Sequence, residues 1–157
     1  MIAVIQRVKH ASVSVDGGVI GKCGKGYLIL LGVAMGDEES DADVLAEKIS
    51  KLRIFSDEND KINLSVNDIG GEILVVPNFT LLASCRKGNR PDFVSSAPPA
   101  LAKALYERFA DYMGELTSHV ETGEFGADME VSICNDGPFT VVIDSRELNK
   151  KNIERRS

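Results

Sequence analysis

The sequence predicts an α+β domain in which a largely antiparallel, barrel-like β-sheet packs against two helices. Three observations lead there. The first and last thirds of the chain alternate apolar with polar residues or run continuously apolar between glycines. Two segments between them repeat apolar residues at helical spacing. A length of 157 residues at 43% hydrophobic builds one core and leaves no room for two, so residues 1–157 read as a single domain with about 149–157 as a flexible tail. Aromatics make up only 6% and Trp is absent, so the core must rest on Val, Ile, Leu and Ala.

Residues 2–15 alternate and are rich in Val. Asp16-Gly17-Gly18 follows, then Val19–Cys23, which together spell a β-hairpin. After the turn Gly24-Lys25-Gly26, the apolar run Tyr27–Val33 reads as a strand buried on both faces. Asp37-Glu38-Glu39-Ser40 supplies capping residues, and Leu45, Ile49 and Leu52 predict an amphipathic helix over about 41–54. Asp57–Asp60 is a charged turn whose acidic residues do not match a calcium loop. Glu72–Val76 is the next buried strand. Pro98-Pro99 opens a second helix over about 99–115, with Leu101, Leu105, Phe109 and Met113 as its apolar stripe. His119–Gly123 and Met129–Cys134 alternate again, Asn135-Asp136-Gly137-Pro138 signals a turn, and Phe139–Asp144 is a final strand.

Composition excludes several classes. No apolar run approaches membrane-spanning length, and Met1–Arg7 reads as a strand rather than a signal peptide, so a cytoplasmic protein with no membrane partner is expected. Cys23, Cys85 and Cys134 are odd in number and far apart, which argues against a disulfide framework or a structural zinc site. Small buried apolar residues are the commoner role for such cysteines, although Arg86 and Lys87 beside Cys85 would favour a thiolate. A net charge of −6 opposes indiscriminate binding to nucleic acid but leaves room for a local basic patch. Two such clusters exist, Arg86-Lys87-Gly88-Asn89-Arg90 and Lys150-Lys151 with Arg155-Arg156; the second reads more readily as a solvated tail.

The usual catalytic signatures are missing. There is no G-x-S-x-G, no H-E-x-x-H and no Walker loop, and His10 and His119 both fall in strand patterns. No cofactor or metal is expected. Two segments are unusual on physical grounds. In Val76-Pro77-Asn78-Phe79-Thr80-Leu81 a buried strand runs into a proline that cannot donate to a ladder. Such an end leaves backbone N–H groups for a carbonyl or oxyanion, with the Thr80 hydroxyl nearby; an edge strand with an ordinary proline break explains the segment equally well. In Asn135-Asp136-Gly137-Pro138-Phe139-Thr140 a cis peptide is possible before Pro138, though a plain β-turn is the commoner outcome.

These segments together resemble a known family. Phe79-Thr80-Leu81, Arg86-Lys87-Gly88-x-Arg90-Pro91-x-Phe93 and Asn135-x-Gly137-Pro138-x-Thr140 look like the signatures of the D-aminoacyl-tRNA deacylases. The opening Met1-x-Ala3-Val4-x-Gln6-Arg7-Val8 and the segment Phe125-Gly126-Ala127-x-Met129 resemble that family too, so the likeness spans almost the whole chain in order and spacing.

The resemblance implies an esterase that cuts D-amino acids, and glycine, from tRNA. It implies a homodimer with active sites at the subunit interface. Gly137-Pro138, cis in relatives, would reach into the partner's pocket and collide with an L-side chain, so that a clash supplies the specificity. Asn78, Phe79 and Thr80 would form the catalytic strand end, with Thr80 a nucleophile or, in the favoured reading, the tRNA's terminal 2′-OH assisting. Arg86, Lys87 and Arg90 would meet the tRNA. The chain departs from the family at Pro77-Asn78, where Ser-Gln is usual, and at Phe139, where Val is frequent. Two other readings stay open: a relaxed relative that edits L-alanyl-tRNA, motivated by Pro77, and a non-catalytic RNA-binding β-domain.

Overall fold

The computed structural model describes residues 1–148. The segment 149–157, with Lys150, Lys151, Arg155 and Arg156, lies outside the described residues. In chain order the elements are β1 (Ile2–Val15), β2 (Gly18–Cys23), β3 (Gly26–Gly32), α1 (Glu39–Ser50), β4 (Arg53–Ser56), β5 (Ile62–Ser65), β6 (Glu72–Pro77), a 3₁₀ turn (Phe79–Leu82), α2 (Pro99–Leu116), β7 (Val120–Thr122) and β8 (Glu130–Asp144).

Strand β1 pairs antiparallel with β3 through residues 2–8 and with β2 through residues 11–15, and β8 pairs with it from Ile2 to Ser14. The helices then act as crossovers. α1 lies between β3 and β6 in sequence, α2 between β6 and β7, and both strand pairs are parallel, as connections of that length allow. The sheet order β2-β1-β3-β6-β7 curls until its ends meet. Lys22 N–H donates to Glu121 Oε1 at 3.3 Å, and a Cβ at Gly21 would lie 2.7 Å from the Thr122 carbonyl. The barrel-like, mixed but mainly antiparallel sheet of an α+β domain is what the sequence led us to expect.

The continuous apolar runs serve two cores. Successive residues of a strand face opposite sides. Tyr27, Ile29 and Leu31 of β3, with Ile73 and Val75 of β6, point into the layer shared with the helices. Leu28, Leu74 and Val76 point into the barrel, where they meet Val8, Ala11 and Val13 of β1. Both faces are buried, so neither strand shows an alternating pattern.

Four sequence expectations need correction. Helix α1 starts at Glu39 behind a Glu38–Asp41 capping box and stops at Ser50, not near 54. Leu52 still packs on the core after the helix has ended, which is why its spacing looked helical. Arg53–Ser56 is instead β4, paired with β5; its Ile54 and Phe55 are buried in extended backbone. In α2, Leu101 is exposed and the buried face runs through Ala102, Leu105, Tyr106, Phe109 and Met113. Finally, Asn135–Pro138 is not a turn between strands. β8 runs straight through it, with Gln6 opposite Thr140 and Val8 opposite Asn135, so Arg7 alone faces residues 136–139 across a wide bulge.

The ends of β1 and β8 are pinned by a buried charge. The Met1 ammonium is 0% exposed and pairs with Asp37 Oδ2 at 2.7 Å. It also donates to Ser145 Oγ at 2.7 Å, and Ser145 N–H donates back to the Met1 carbonyl at 2.9 Å. Asp37 Oδ2 accepts a further bond from Ala34 N–H at 2.6 Å. No helix among the described residues is long and apolar enough to cross a membrane.

Breaking a buried ion pair strands the remaining charge. Asp37→Ala is therefore expected to lower unfolding free energy by about 3 kcal/mol, read from urea midpoints at constant slope.

Candidate active site

Strand β6 leaves the sheet at Pro77. Asn78 N–H makes the last link, to the Leu31 carbonyl at 2.8 Å, and the chain then tightens into the 3₁₀ turn Phe79–Leu82. The leading N–H groups of a helical turn have no partner within it. Here they belong to Phe79 and Thr80, and both residues line a cleft of about 980 Å³. Close packing at Gly32 holds the turn: a Cβ there would lie 2.5 Å from Leu82 Cδ2 and 3.1 Å from the Asn78 carbonyl.

Side chains dress this turn in a defined way. Thr80 Oγ1 donates to Asn78 Oδ1, so the threonine proton is already engaged and the asparagine amide is oriented. Ser96 Oγ lies 3.5 Å from the Phe79 carbonyl. Phe79 is 58% exposed and meets Phe93 edge-on, with centroids 5.1 Å apart. The Phe93–Ser96 segment reaches the cleft through the Ala34↔Ser96 bridge and the 2.8 Å bond from Met35 N–H to the Ser95 carbonyl.

The opposite wall comes from the segment between β7 and β8 and from β8 itself: Phe125, Gly126, Ala127, Met129, Val131 and Ile133. The cleft is mostly apolar, and among the described residues lining it Asp128 is the one ionisable side chain. Among the described residues, no histidine lines the cleft beside Thr80. What the site offers is backbone donors, an amide and a hydroxyl in a mostly apolar recess, an arrangement suited to stabilising charge on a carbonyl oxygen.

The Gly137–Pro138 peptide is cis, with Gly137 at φ +136°. It stands in the β8 bulge, and none of residues 135–139 is among those lining the cleft of the same chain. Asn135 holds the bulge: its Nδ2 donates to Gln6 Oε1 at 2.7 Å, and its Oδ1 accepts from Phe139 N–H at 2.9 Å. Arg7 holds it from the other strand. Its Nε donates to the Asp136 carbonyl at 3.0 Å, another guanidinium nitrogen donates to the Ile54 carbonyl at 2.7 Å, and the group lies 4.8 Å from the Phe139 ring centroid.

The structure thus unites Asn78, Phe79 and Thr80 in one cleft and keeps Gly137 and Pro138 apart from it. Arg86, Lys87 and Arg90 are exposed on the loop that the Ser84↔Asp92 bridge closes, outside the lining residues. Sequence reasoning missed Arg7 as a support. The signal was present: Gln6-Arg7 puts adjacent polar residues on both faces of β1 directly after the apolar run Ile2–Ile5. It also missed Ser96 and Asp128, which sit in loops without periodicity.

The cysteines offer no alternative chemistry. Burial pushes the Cys23 thiol up to about 11, and Cys85 and Cys134 lie outside the cleft. His119 is paired with Glu121 at 2.8 Å on the far end of the sheet, and His10 is exposed on β1.

Comparison with known proteins agrees with this geometry. The family model described as D-Tyr-tRNA(Tyr) deacylase matches residues 4–144. The D-aminoacyl-tRNA deacylase of Thermosipho africanus (strain TCF52B) is 55% identical over 148 residues, 94% of this chain and 99% of the relative. That of Pseudoalteromonas translucida (strain TAC 125) is 56% identical over 140 residues, 89% of this chain and 97% of the relative. A solved structure described as a c-Myc DNA unwinding element binding protein superposes with a TM-score of 0.87 at 39% identity, covering 92% of this chain and 98% of that one. A probable eukaryotic D-amino acid tRNA deacylase shares the fold alone, with a TM-score of 0.78 at 18% identity over 91% of this chain and 98% of that one. A chain matched from its first strand to its last, with its polar strand end on an apolar cleft, belongs to the D-Tyr-tRNA(Tyr) deacylase family, hydrolases of the aminoacyl-tRNA ester.

Proposed function

We propose that this enzyme proofreads chirality as a homodimer, with the cleft of one protomer completed by the Gly137–Pro138 peptide of the other. The observation that carries this is the separation just described: the bulge is built and braced by Asn135 and Arg7, yet stands outside its own chain's cleft. Strand β8 pairs with β1 along one edge and exposes Ile133 and Val142, an apolar surface on which a second copy could seat. In that assembly the D-aminoacyl ester lies against the leading N–H groups of the Phe79–Leu82 turn. An L-side chain meets the partner's Gly137–Pro138 backbone and is turned away; glycine on tRNA, having no side chain, is cleaved as well.

Chemistry follows from positioning. An aminoacyl ester is already labile, so the Phe79 and Thr80 N–H groups, with the Asn78 amide, need only hold the developing oxyanion. Thr80 acts through its bond to Asn78 rather than as a nucleophile, and the tRNA's terminal 2′-OH assists the attack on the ester. The exposed Arg86, Lys87 and Arg90 neutralise phosphates of the acceptor end in a chain whose net charge is otherwise −6. Such a reaction takes place where tRNA is charged, in the cytoplasm. Pro77 favours a second, relaxed reading in which L-alanyl-tRNA is also cleaved, and a non-catalytic RNA-binding role would leave every ester intact.

The deciding experiment measures hydrolysis of D-tyrosyl-tRNA and L-tyrosyl-tRNA together with the protein's mass in solution. Release of D-tyrosine alone, by a dimer, is expected; equal hydrolysis of both, or discrimination by a monomer, overturns the proposal. Thr80→Ala should keep kcat within about tenfold of wild type, as loss of one positioning hydrogen bond predicts; a dead enzyme that still binds tRNA would restore the nucleophile. Lys87→Glu should weaken tRNA binding and reduce the slope of log Kd against log salt by about one, and an unaltered slope would remove the loop from the footprint.

A further inference from the structure

Tyr106 is buried on α2 and is not among the residues that line the cleft. Its hydroxyl lies 3.1 Å from the Val75 carbonyl and 3.3 Å from the Gly123 carbonyl. Val75 stands two residues before Pro77, where the catalytic wall begins. Gly123 stands two residues before Phe125, where the opposite wall begins. One hydroxyl therefore meets both walls from behind, and it has a single proton to share between them. Burial pushes this phenol up to about 12, so it stays a donor across the physiological range. Its ring also packs against Phe125, centroids 6.1 Å apart.

The roots of the two walls are already in contact. Gly123 N–H donates to the Val75 carbonyl at 2.8 Å. A Cβ at Gly123 would lie 2.9 Å from Met129 Sδ and 3.3 Å from Pro77 Cδ. Gly123 and Pro77 thus approach closely across the base of the cleft, and the Tyr106 hydroxyl reinforces the direct bond that holds them there.

We propose that Tyr106 is a specificity-determining positioning residue: by tying the Gly123–Met129 wall to strand β6, it fixes the separation of the two walls and so how far the cleft prefers a D- over an L-aminoacyl group. This rests on the chiral reading of the cleft given above. It assigns part of the discrimination to a hydroxyl that never touches substrate, in addition to the partner's Gly137–Pro138 backbone.

The test compares kcat/KM for D-alanyl-tRNA and L-alanyl-tRNA in wild type, Tyr106→Phe, Gly123→Ala and the double variant. A ratio of two substrates cancels any loss of folded enzyme, so a merely structural role leaves it unmoved. Tyr106→Phe keeps the ring and the direct Gly123–Val75 bond and removes only the hydroxyl's share of the tie, and the D-to-L ratio is expected to fall about fivefold, the effect of one lost buried hydrogen bond. Gly123→Ala, whose added methyl would lie 3.3 Å from Pro77 Cδ on the facing wall, should lower the ratio too. The double variant should fall short of the product of the two, since both act on one contact. Wild-type discrimination with a ratio unmoved in both single variants, or raised in either, overturns this inference alone. Wild type that cleaves both substrates equally overturns the chiral reading and this inference with it.

Discussion

Strand β1 is held on both edges at once, by β3 and β2 on one and by β8 on the other, and this double pairing fixes the rest of the molecule. The β3 register places Leu31 where its carbonyl catches Asn78 N–H, which decides where β6 stops and the 3₁₀ turn begins. The β8 register leaves Arg7 facing the bulge, and Arg7 then sets the Asp136 carbonyl. The Phe79–Leu82 turn and the Gly137–Pro138 peptide are thus both referred to a single strand, although only the first lines the cleft. A one-residue slip of β1 would exchange its faces, moving Val8, Ala11 and Val13 out of the barrel and Arg7 off the bulge.

Much of this was written legibly in the sequence, where a period or a turn residue carried it. The long helix α2 and the runs Tyr27–Gly32 and Glu72–Val76 announced themselves through spacing and bounding glycines. Asn78, Phe79 and Thr80 were found because Pro77 interrupts a buried strand. What was hidden depended on partners distant in sequence. Arg53–Ser56 is too short to show alternation and follows a helix whose spacing Leu52 seems to continue. Asn135-Asp136-Gly137-Pro138 has local turn chemistry, and only its neighbour β1 makes it a bulge in an unbroken ladder. Ser96 and Asp128 join the cleft from irregular segments that no periodicity can place.

The mechanism proposed asks for little side-chain chemistry, because the ester is already labile. Among the described residues that line the cleft, Asp128 is the one ionisable side chain, and the Thr80 hydroxyl is spent on Asn78. The site's assets are geometric: backbone donors left over by a helical start, a ring pair of Phe79 and Phe93, and walls tied at their base. In that mechanism the path of the backbone matters more than the side chains at Pro77 and Asn78, and Arg7 below the bulge and Tyr106 behind the cleft would help to hold that path.

The join between β1 and β8 has a consequence for synthesis. Ile2 pairs with Asp144, so the first strand made must wait, with one edge open, until nearly all of the chain has left the ribosome. The bulge and its arginine brace come together only at that point. An unfinished chain therefore exposes an unpaired edge of β1 and lacks the braced Gly137–Pro138 peptide until its last strand arrives.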